Sequence, residues 1–161
     1  MSKMQRILVP VDFSDVSRAA THYAIGLSEQ FNPTIDILHI WDLPAFLSPY
    51  PIQGGAGSTP ASIADYARQR VDEAMTSFMA DLDGDINRAM DAQHTLHLIK
   101  HVKTGEPAAV ILDMAQEMKH DLIVMGTHGR SGLAHLFIGS VTERVMREAP
   151  CPVLAVPPKT E

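Results

Sequence analysis

The sequence predicts a doubly wound α/β sandwich, in which helices cover both faces of a parallel sheet. Four of its five short apolar runs are nearly continuous, which is typical of strands that are buried on both faces. Segments with apolar residues at helical spacing separate the runs, so strands and helices alternate along the chain. Right-handed crossovers then favour a Rossmann-like topology. The length of 161 residues suits one domain over 1–161, and no internal repeat is present.

The predicted strands are short, and the third differs from the others. The five runs are Ile7–Val11, Ile35–Trp41, Leu96–Val102, Leu122–Met125 and Val153–Val156. The third run alternates, with His97 and His101 on one side, which favours a place nearer an edge of the sheet. These two histidines would lie about 13 Å apart, too far to share a zinc ion, so we expect solvated edge residues.

Four helices are predicted between the strands. Their apolar stripes run over Val16–Leu27 after a possible cap at Ser14, over Ile63–Leu82 after Thr59-Pro60, over Val110–Met118 after Pro107, and from Ser140 to Glu148. Lys119 and His120 close the third helix, where positive charge suits the negative end of the helix dipole. Pro and Gly are frequent between the second strand and the second helix, which predicts a long flexible loop over residues 43–58.

Composition and charge exclude several classes of protein. Thirteen Lys and Arg against nineteen Asp and Glu give a net charge of −6, which argues against nucleic acid or an anionic membrane as a bulk ligand. The single cysteine excludes an internal disulfide and any Cys-rich zinc module. No apolar run is long enough to cross a bilayer, and no secretion signal is recognisable. These features predict a soluble, cytoplasmic protein.

The first strand ends in Pro10-Val11-Asp12, where two features indicate a binding site. Proline removes a hydrogen-bond donor from a buried strand, and ligands of doubly wound sheets bind beyond the carboxyl ends of the strands. Asp12 places a carboxylate at that rim, where it can accept hydrogen bonds from two ribose hydroxyls. From this residue alone, a carboxylate that only begins the turn into the first helix is an equal interpretation.

A glycine-rich segment follows the fourth strand and indicates a site for an anion. No Asp or Glu occurs from Gly126 to Thr142, and Ser140 precedes Glu143 at the spacing of a capping box. Glycines let backbone N–H groups approach an anion, and a helix N-terminus adds its dipole, so the segment predicts a phosphate cradle. The alternative is that the glycines serve only to turn the chain. The P-loop and G-x-G-x-x-G patterns are both absent.

With these motifs the sequence resembles the universal stress protein family, and in particular its ATP-binding branch. The resemblance rests on the spacing G-x2-G-x9-G-S and on the segments 7–14, 105–107, 121–129, 139–141 and 149–154. It implies a five-stranded parallel sheet in the order 3-2-1-4-5, with ATP across the ends of strands one and four. It also implies a homodimer through the last strand, around Val153, Leu154, Ala155 and Val156.

The resemblance further implies which residues contact the nucleotide. Pro10, Val11 and Asp12 would contact adenine and ribose, and Ile40 would form an apolar wall of the adenine pocket. Met125 and Gly126 fall where the fourth strand meets the nucleotide. The phosphate-binding stretch corresponds to Gly129, Gly139, Ser140 and Val141, and His128 and Arg130 lie in the same loop. Mg²⁺ or Mn²⁺ could arrive with the phosphates, held by them rather than by a protein cage.

The implied function is a nucleotide-dependent regulator or sensor of the stress response, with weak or no ATP hydrolysis. The alternative is an ATP-using enzyme on the same fold, catalysing adenylation or phosphotransfer. The sequence shows no clear general base near the phosphate loop, apart from His128 as a modest candidate, and binding by a helix dipole does not by itself accelerate chemistry. We therefore predict no catalytic residue.

Overall fold

Five parallel strands form one sheet in the order β3-β2-β1-β4-β5 in a computed structural model, which describes residues 4–41, 63–89, 96–128 and 138–158. The elements in chain order are β1 (Arg6–Val11), α1 (Asp15–Phe31), β2 (Thr34–Trp41), α2 (Ile63–Asp81), α3 (Asp83–Ala89), β3 (His97–Thr104), α4 (Pro107–Glu117), β4 (Leu122–Gly126), α5 (Ser140–Glu148) and β5 (Val153–Val156). The predicted α/β class, strand order and edge position of the third strand are confirmed.

Two apolar layers hold the helices on the sheet. On one face, buried residues of α1 and α2 pack against Ile7, Val9 and Ile37. On the other face, α4 and α5 pack against Leu8, Leu38 and Ile123. Successive residues of each strand point to opposite faces, so the near-continuous apolar runs bury both sets at once.

The predicted cap of α1 is confirmed, and a short helix that was not predicted follows the second predicted helix. The Ser14 Oγ accepts a hydrogen bond from the Ser17 backbone N–H at 3.2 Å. The apolar stripe over Ile63–Leu82 forms α2, which ends at Asp81, and it is followed by the short helix α3, which the sequence did not predict. Leu82 lies at the break with no exposed surface, because its side chain packs into the core beneath α1 and α2.

Two histidine predictions are wrong, because Asp36 binds both side chains. Asp36, in β2, is buried and accepts hydrogen bonds from Arg6 Nε and Nη2 at 2.8–3.0 Å. His101 Nε2 lies 2.7 Å from Asp36 Oδ1, so His101 is not simply a solvated edge residue. His120 Nε2 lies 3.0 Å from Oδ2, and its side chain is fully buried rather than placed on the end of α4. Lys119 also lies beyond α4, which ends at Glu117, and it has a positive φ of 53°.

Two further predictions concern residues outside the described ranges. They are the flexible loop at 43–58 and the start of the second helix at Thr59-Pro60. In the parts of the chain that the structure describes, no helix has the length and apolar character needed to span a membrane.

Candidate functional site

A crevice opens between the carboxyl ends of β1 and β4, where the winding of the sheet changes direction. The β1–β2 pairing continues to Val11, whereas the β1–β4 register extends only to Leu8 opposite Ile123. Pro10 lies in the part of β1 beyond that point and has no N–H to offer to a neighbouring strand. Strand separation at the switch point of a doubly wound sheet creates the usual ligand crevice of this architecture.

A cavity of about 240 Å³ occupies this crevice. This volume lies just below the ~300 Å³ lower end of typical small-molecule sites. Its described lining residues come from the carboxyl ends of β1, β2 and β4, from residues just after β1 and β4, and from the N-terminal parts of α1, α4 and α5: Pro10, Val11, Asp12, Ser17, Ile40, Pro107, Ile111, Met125, Gly126, His128, Gly139, Ser140, Val141 and Thr142. Apolar side chains of β2 and α4 thus face polar groups of the β4–α5 connection.

Asp12 both lines the cavity and begins the turn into α1. Its Oδ1 accepts hydrogen bonds from the Ser14 backbone N–H at 3.1 Å and from the Ser14 hydroxyl at 2.5 Å. The residue between them, Phe13, has a φ of 67°, in the left-handed region that a bulky side chain rarely adopts. The two interpretations of Asp12 therefore do not exclude each other, because Ser14 holds the carboxylate at the rim of the cavity.

The end of β4 needs a glycine because α1 approaches it closely. A Cβ at Gly126 would lie 2.7 Å from Val16 Cγ1 and 3.2 Å from the carbonyl oxygen of His128. Thr142 in α5 donates a hydrogen bond through its hydroxyl to the Gly126 carbonyl at 2.8 Å. Gly126 thus allows β4, α1 and α5 to meet at the floor of the cavity.

The first turn of α5 lies at the cavity, and its backbone N–H groups have no acceptor within the helix itself. Gly139 is the N-cap and has no side chain with which to cap the helix, and its own N–H binds the Thr127 carbonyl oxygen at 2.7 Å. The predicted capping box is wrong, because Ser140 lies one position inside the helix and cannot cap it. Gly139 has an ordinary φ of −61°; a Cβ there would lie 3.3 Å from the Thr127 carbonyl oxygen. Space, and not a positive φ, favours glycine here.

His128 brings a buried nitrogen to the same end of the cavity. Its Nδ1 lies 2.8 Å from the Thr127 hydroxyl, which fixes the orientation of the ring. Its Nε2 is buried and has no hydrogen-bond partner among the described residues. A buried polar atom without a partner is costly, so a ligand group that binds Nε2 would remove that cost.

Glu106 stabilises the opposite wall of the cavity by capping α4. Its carboxylate accepts hydrogen bonds from the Ala108 and Ala109 N–H groups at 3.1 and 2.9 Å, and it binds Arg144 of α5 at 2.7 Å. The Ala109 N–H, followed by the Ala108 N–H and Arg144, holds the pKa of Glu106 below its usual value. Glu106 therefore stays ionised and links the two helices that border the cavity.

The described residues of the predicted site all fall on the cavity wall. Of the twelve residues predicted to contact the nucleotide, ten are described and line the cavity, and the other two, Gly129 and Arg130, lie outside the described residues. Sequence reasoning missed Ser17, Pro107, Ile111 and Thr142. A signal was present for Thr142, which ends the acid-free segment, and for Pro107, which opens a helix. Ser17 and Ile111 looked like ordinary helix-face residues.

Two other predictions concern metal ions and the last strand. Within the described ranges, no three His, Cys, Asp or Glu side chains come together in a way that could hold a metal ion. β5 forms an edge of the sheet, and its Leu154 side chain is 37% exposed. Val156 instead packs into the core beside β4.

Known proteins with similar sequences and structures cover almost the whole chain. A universal stress protein of Methanocaldococcus jannaschii is 32% identical over 98% of this chain and 85% of its own length. The universal stress protein UspA from Lactobacillus plantarum superposes with a TM-score of 0.67 at 26% identity, covering 97% of this chain and 99% of its own.

A universal stress protein from Archaeoglobus fulgidus, solved in complex with dAMP, has a TM-score of 0.60 and 20% identity. It covers 96% of this chain and 99% of its own, and at that identity the likeness is one of fold. The universal stress protein family matches residues 3–157, so almost the entire chain, crevice included, corresponds to the family. By this match and by its similarity to the archaeal relative, the chain belongs to the universal stress protein family.

Proposed function

We propose that this protein binds ATP in the crevice between β1 and β4 and acts as a nucleotide-dependent regulator of the stress response. One observation carries the proposal: every described residue of the predicted nucleotide site lies on the wall of a single cavity. These residues come from four separate parts of the sequence, so their convergence is a property of the fold. The dAMP complex of the Archaeoglobus fulgidus protein supports an adenine nucleotide as the ligand class.

The nucleoside would occupy the part of the cavity bounded by β1, β2 and α4. Ile40, Ile111 and Met125 provide apolar surface there, which suits the faces of a purine ring. Asp12 at the rim supplies a carboxylate for the ribose hydroxyls. A charge-assisted hydrogen bond of this kind is stronger than a neutral one, so we assign ribose recognition to Asp12.

The phosphates would bind at the start of α5. The N–H groups of Ser140, Val141 and Thr142 have no acceptor within the helix, and Gly139 provides no side-chain cap. An anion satisfies such donors and interacts favourably with the helix dipole. His128 Nε2, which is buried and has no partner among the described residues, lies on the wall of the same cavity and adds one more polar contact for a phosphate oxygen. A divalent cation would be carried by the phosphates.

We propose weak or no hydrolysis. Asp12 is the only carboxylate among the described lining residues, and it directly follows β1 rather than lying at the first turn of α5. Binding ground state and transition state equally does not accelerate a reaction. A steady-state ATPase rate of about 1–10³ s⁻¹, the usual range for enzymes, would contradict this proposal and favour the ATP-using enzyme.

The decisive experiment removes one backbone N–H from the start of α5. Ser140 is the first residue of the helix, and Gly139 before it has an extended conformation, so proline fits at position 140 without breaking the helix. We expect Ser140→Pro to weaken ATP binding by about tenfold or more in calorimetry, since hydrogen bonds to charged groups contribute about 1.5–3 kcal/mol. Adenosine, which has no phosphate, should bind both proteins equally.

Two controls make the result specific. Ser140→Ala removes only the hydroxyl and should retain most of the ATP affinity. Mass spectrometry of the denatured wild-type protein identifies any nucleotide that copurifies with it. An unchanged ATP affinity in Ser140→Pro, with the helix intact by circular dichroism, would show that the phosphates do not bind at α5.

A homodimer through β5 is part of the same proposal. The strand is an edge of the sheet that the described residues form, and Leu154 is exposed on it. Pairing of the β5 strands of two protomers would bury this edge and the Leu154 side chain of each.

A further inference from the structure

His39 contacts both residues that flank Asp12, although it lies outside the cavity. Val11 precedes Asp12 and Phe13 follows it, and the imidazole of His39 on β2 binds one and stacks on the other. We propose that His39 is a positioning residue, which holds the backbone of Asp12 so that its carboxylate faces the ribose. This inference rests on the proposed nucleotide function.

The hydrogen bond to Val11 fixes the tautomer of the ring. His39 Nδ1 lies 2.8 Å from the Val11 carbonyl oxygen. A carbonyl oxygen only accepts, so Nδ1 must carry the hydrogen and donate it. The side chain is 8% exposed, and a bond in such an environment is poorly replaced by water. Val11 is thereby held at the point where β1 ends and the cavity begins.

The stack with Phe13 holds the other side of Asp12. The ring centroids of His39 and Phe13 are 4.2 Å apart, with an interplanar angle of 26°. The Phe13 ring also packs against the Phe78 ring of α2, with the two centroids 5.7 Å apart. The φ of 67° at Phe13 is unfavourable for a bulky residue and persists only where surrounding contacts impose it. His39 and Phe78 supply those contacts.

The position of His39 on β2 explains why it acts indirectly. Its neighbour Ile40 lines the cavity, and successive residues of a strand point to opposite faces, so His39 faces α1 and α2. Ser14 already holds Oδ1 of Asp12 from the helix side. Ser14 therefore orients the carboxylate, while His39 orients the peptide unit that carries it.

Two matched variants separate the hydrogen bond from the stack. His39→Asn keeps a donor nitrogen where Nδ1 lies and removes the ring, whereas His39→Phe keeps a ring and removes the donor. The measurement is the ratio of affinities for adenosine and 2′,3′-dideoxyadenosine, which reports the ribose contact of Asp12. We expect about a tenfold or greater preference for adenosine in the wild type, falling to about twofold in His39→Phe and largely kept in His39→Asn.

The outcomes distinguish this inference from the proposed function. A wild type that binds neither nucleoside nor ATP contradicts the proposed function. A wild type that binds both nucleosides equally, or a His39→Phe variant that keeps the full ratio, overturns the positioning role. A purely structural role would lower the melting temperature and both affinities together, leaving the ratio unchanged.

A measurement on the wild-type protein keeps the inference testable if His39→Phe does not fold. ¹⁵N NMR should show hydrogen on Nδ1 of His39. Because coupling between two sites is reciprocal, adenosine should slow the exchange of this proton at least severalfold more than dideoxyadenosine does. Hydrogen on Nε2 alone, or equal exchange with both ligands, would overturn the inference.

Discussion

Replacement of Asp36 by asparagine tests the buried charge cluster at the amino end of the sheet. The Asp36 carboxylate has no exposed surface and binds three side chains, Arg6, His101 and His120. Asn keeps the shape but has only one acceptor oxygen, and its NH₂ group would face other donors. Some of these groups would therefore lose their partner, and only the partly exposed Arg6 and His101 could regain contact with water, whereas His120 is fully buried.

The size of the effect follows from the burial of the partners. Breaking a buried ion pair by removal of one partner costs about 3–5 kcal/mol. Arg6 is 30% exposed and regains part of its hydration, so we expect the lower end, about 3 kcal/mol. For a protein of 161 residues this corresponds to a fall in Tm of about 6–12 °C.

Urea unfolding of wild type and Asp36→Asn at several pH values gives both the magnitude and its origin. Burial raises the pKa of Asp36, but hydrogen bonds from His101, Arg6 and His120 outweigh it, so the net pKa is lowered. A carboxyl with a lowered folded pKa stabilises the protein above its unfolded pKa of about 3.9 and loses that contribution as the pH falls through the folded value. The difference in unfolding free energy between wild type and Asp36→Asn should therefore become smaller below about pH 4.

Asp113→Asn, at an exposed position on α4, is the matched control and should change stability by less than about 0.5 kcal/mol. If Asp36→Asn lowers the unfolding free energy by less than about 1 kcal/mol at pH 7, the cluster does not stabilise the fold to the extent expected. A difference that persists unchanged at pH 3 would refute the role of the carboxylate charge.

Three further predictions concern other parts of the molecule. Gly126→Ala should lower the unfolding free energy by about 1–3 kcal/mol, because the added Cβ would clash with the Val16 side chain. Adding Val16→Ala removes the clashing methyl groups and should restore part of the lost stability. A double variant no more stable than Gly126→Ala alone would contradict the clash. Burial raises the pKa of the Cys151 thiol, so alkylation at pH 8 should be slower than in urea, and equal rates would contradict this. Leu154→Lys should shift sedimentation towards monomer, whereas Ile99→Lys on the opposite edge strand should not; equal behaviour of the two would argue against a β5 interface.

Features that depend on neighbouring residues were predictable from the sequence. The Ser14 cap needs only a hydroxyl before a helical stripe, and the strands need only continuous apolar runs. The position of the candidate site could also be predicted, because parallel strands bring their carboxyl ends to one edge of the sheet and the motif residues lie at that edge. The start of α5 was placed correctly, but Gly and Ser both suit an N-cap, and the pattern selected Ser140 instead of Gly139.

The cluster around Asp36 was not predictable, because its members are distant in sequence. Arg6, His101 and His120 lie 30, 65 and 84 positions from Asp36, and only the sheet order and helix packing bring them together. The local sequence pattern places His101 on an edge strand and His120 at the end of a helix, and the wrong expectations for both residues followed from that pattern. His39 escaped notice for a related reason, since its partners Val11 and Phe13 lie on another strand and its turn.

The glycine N-cap of α5 couples the cavity to the rest of the chain. A helix without a side-chain cap frays more readily at its first turn, and an anion bound there acts as the missing cap. α5 ends at Glu148, and only residues 149–152 separate it from β5. A nucleotide bound in the cavity, as proposed, would therefore stabilise the helix that leads into the edge strand β5.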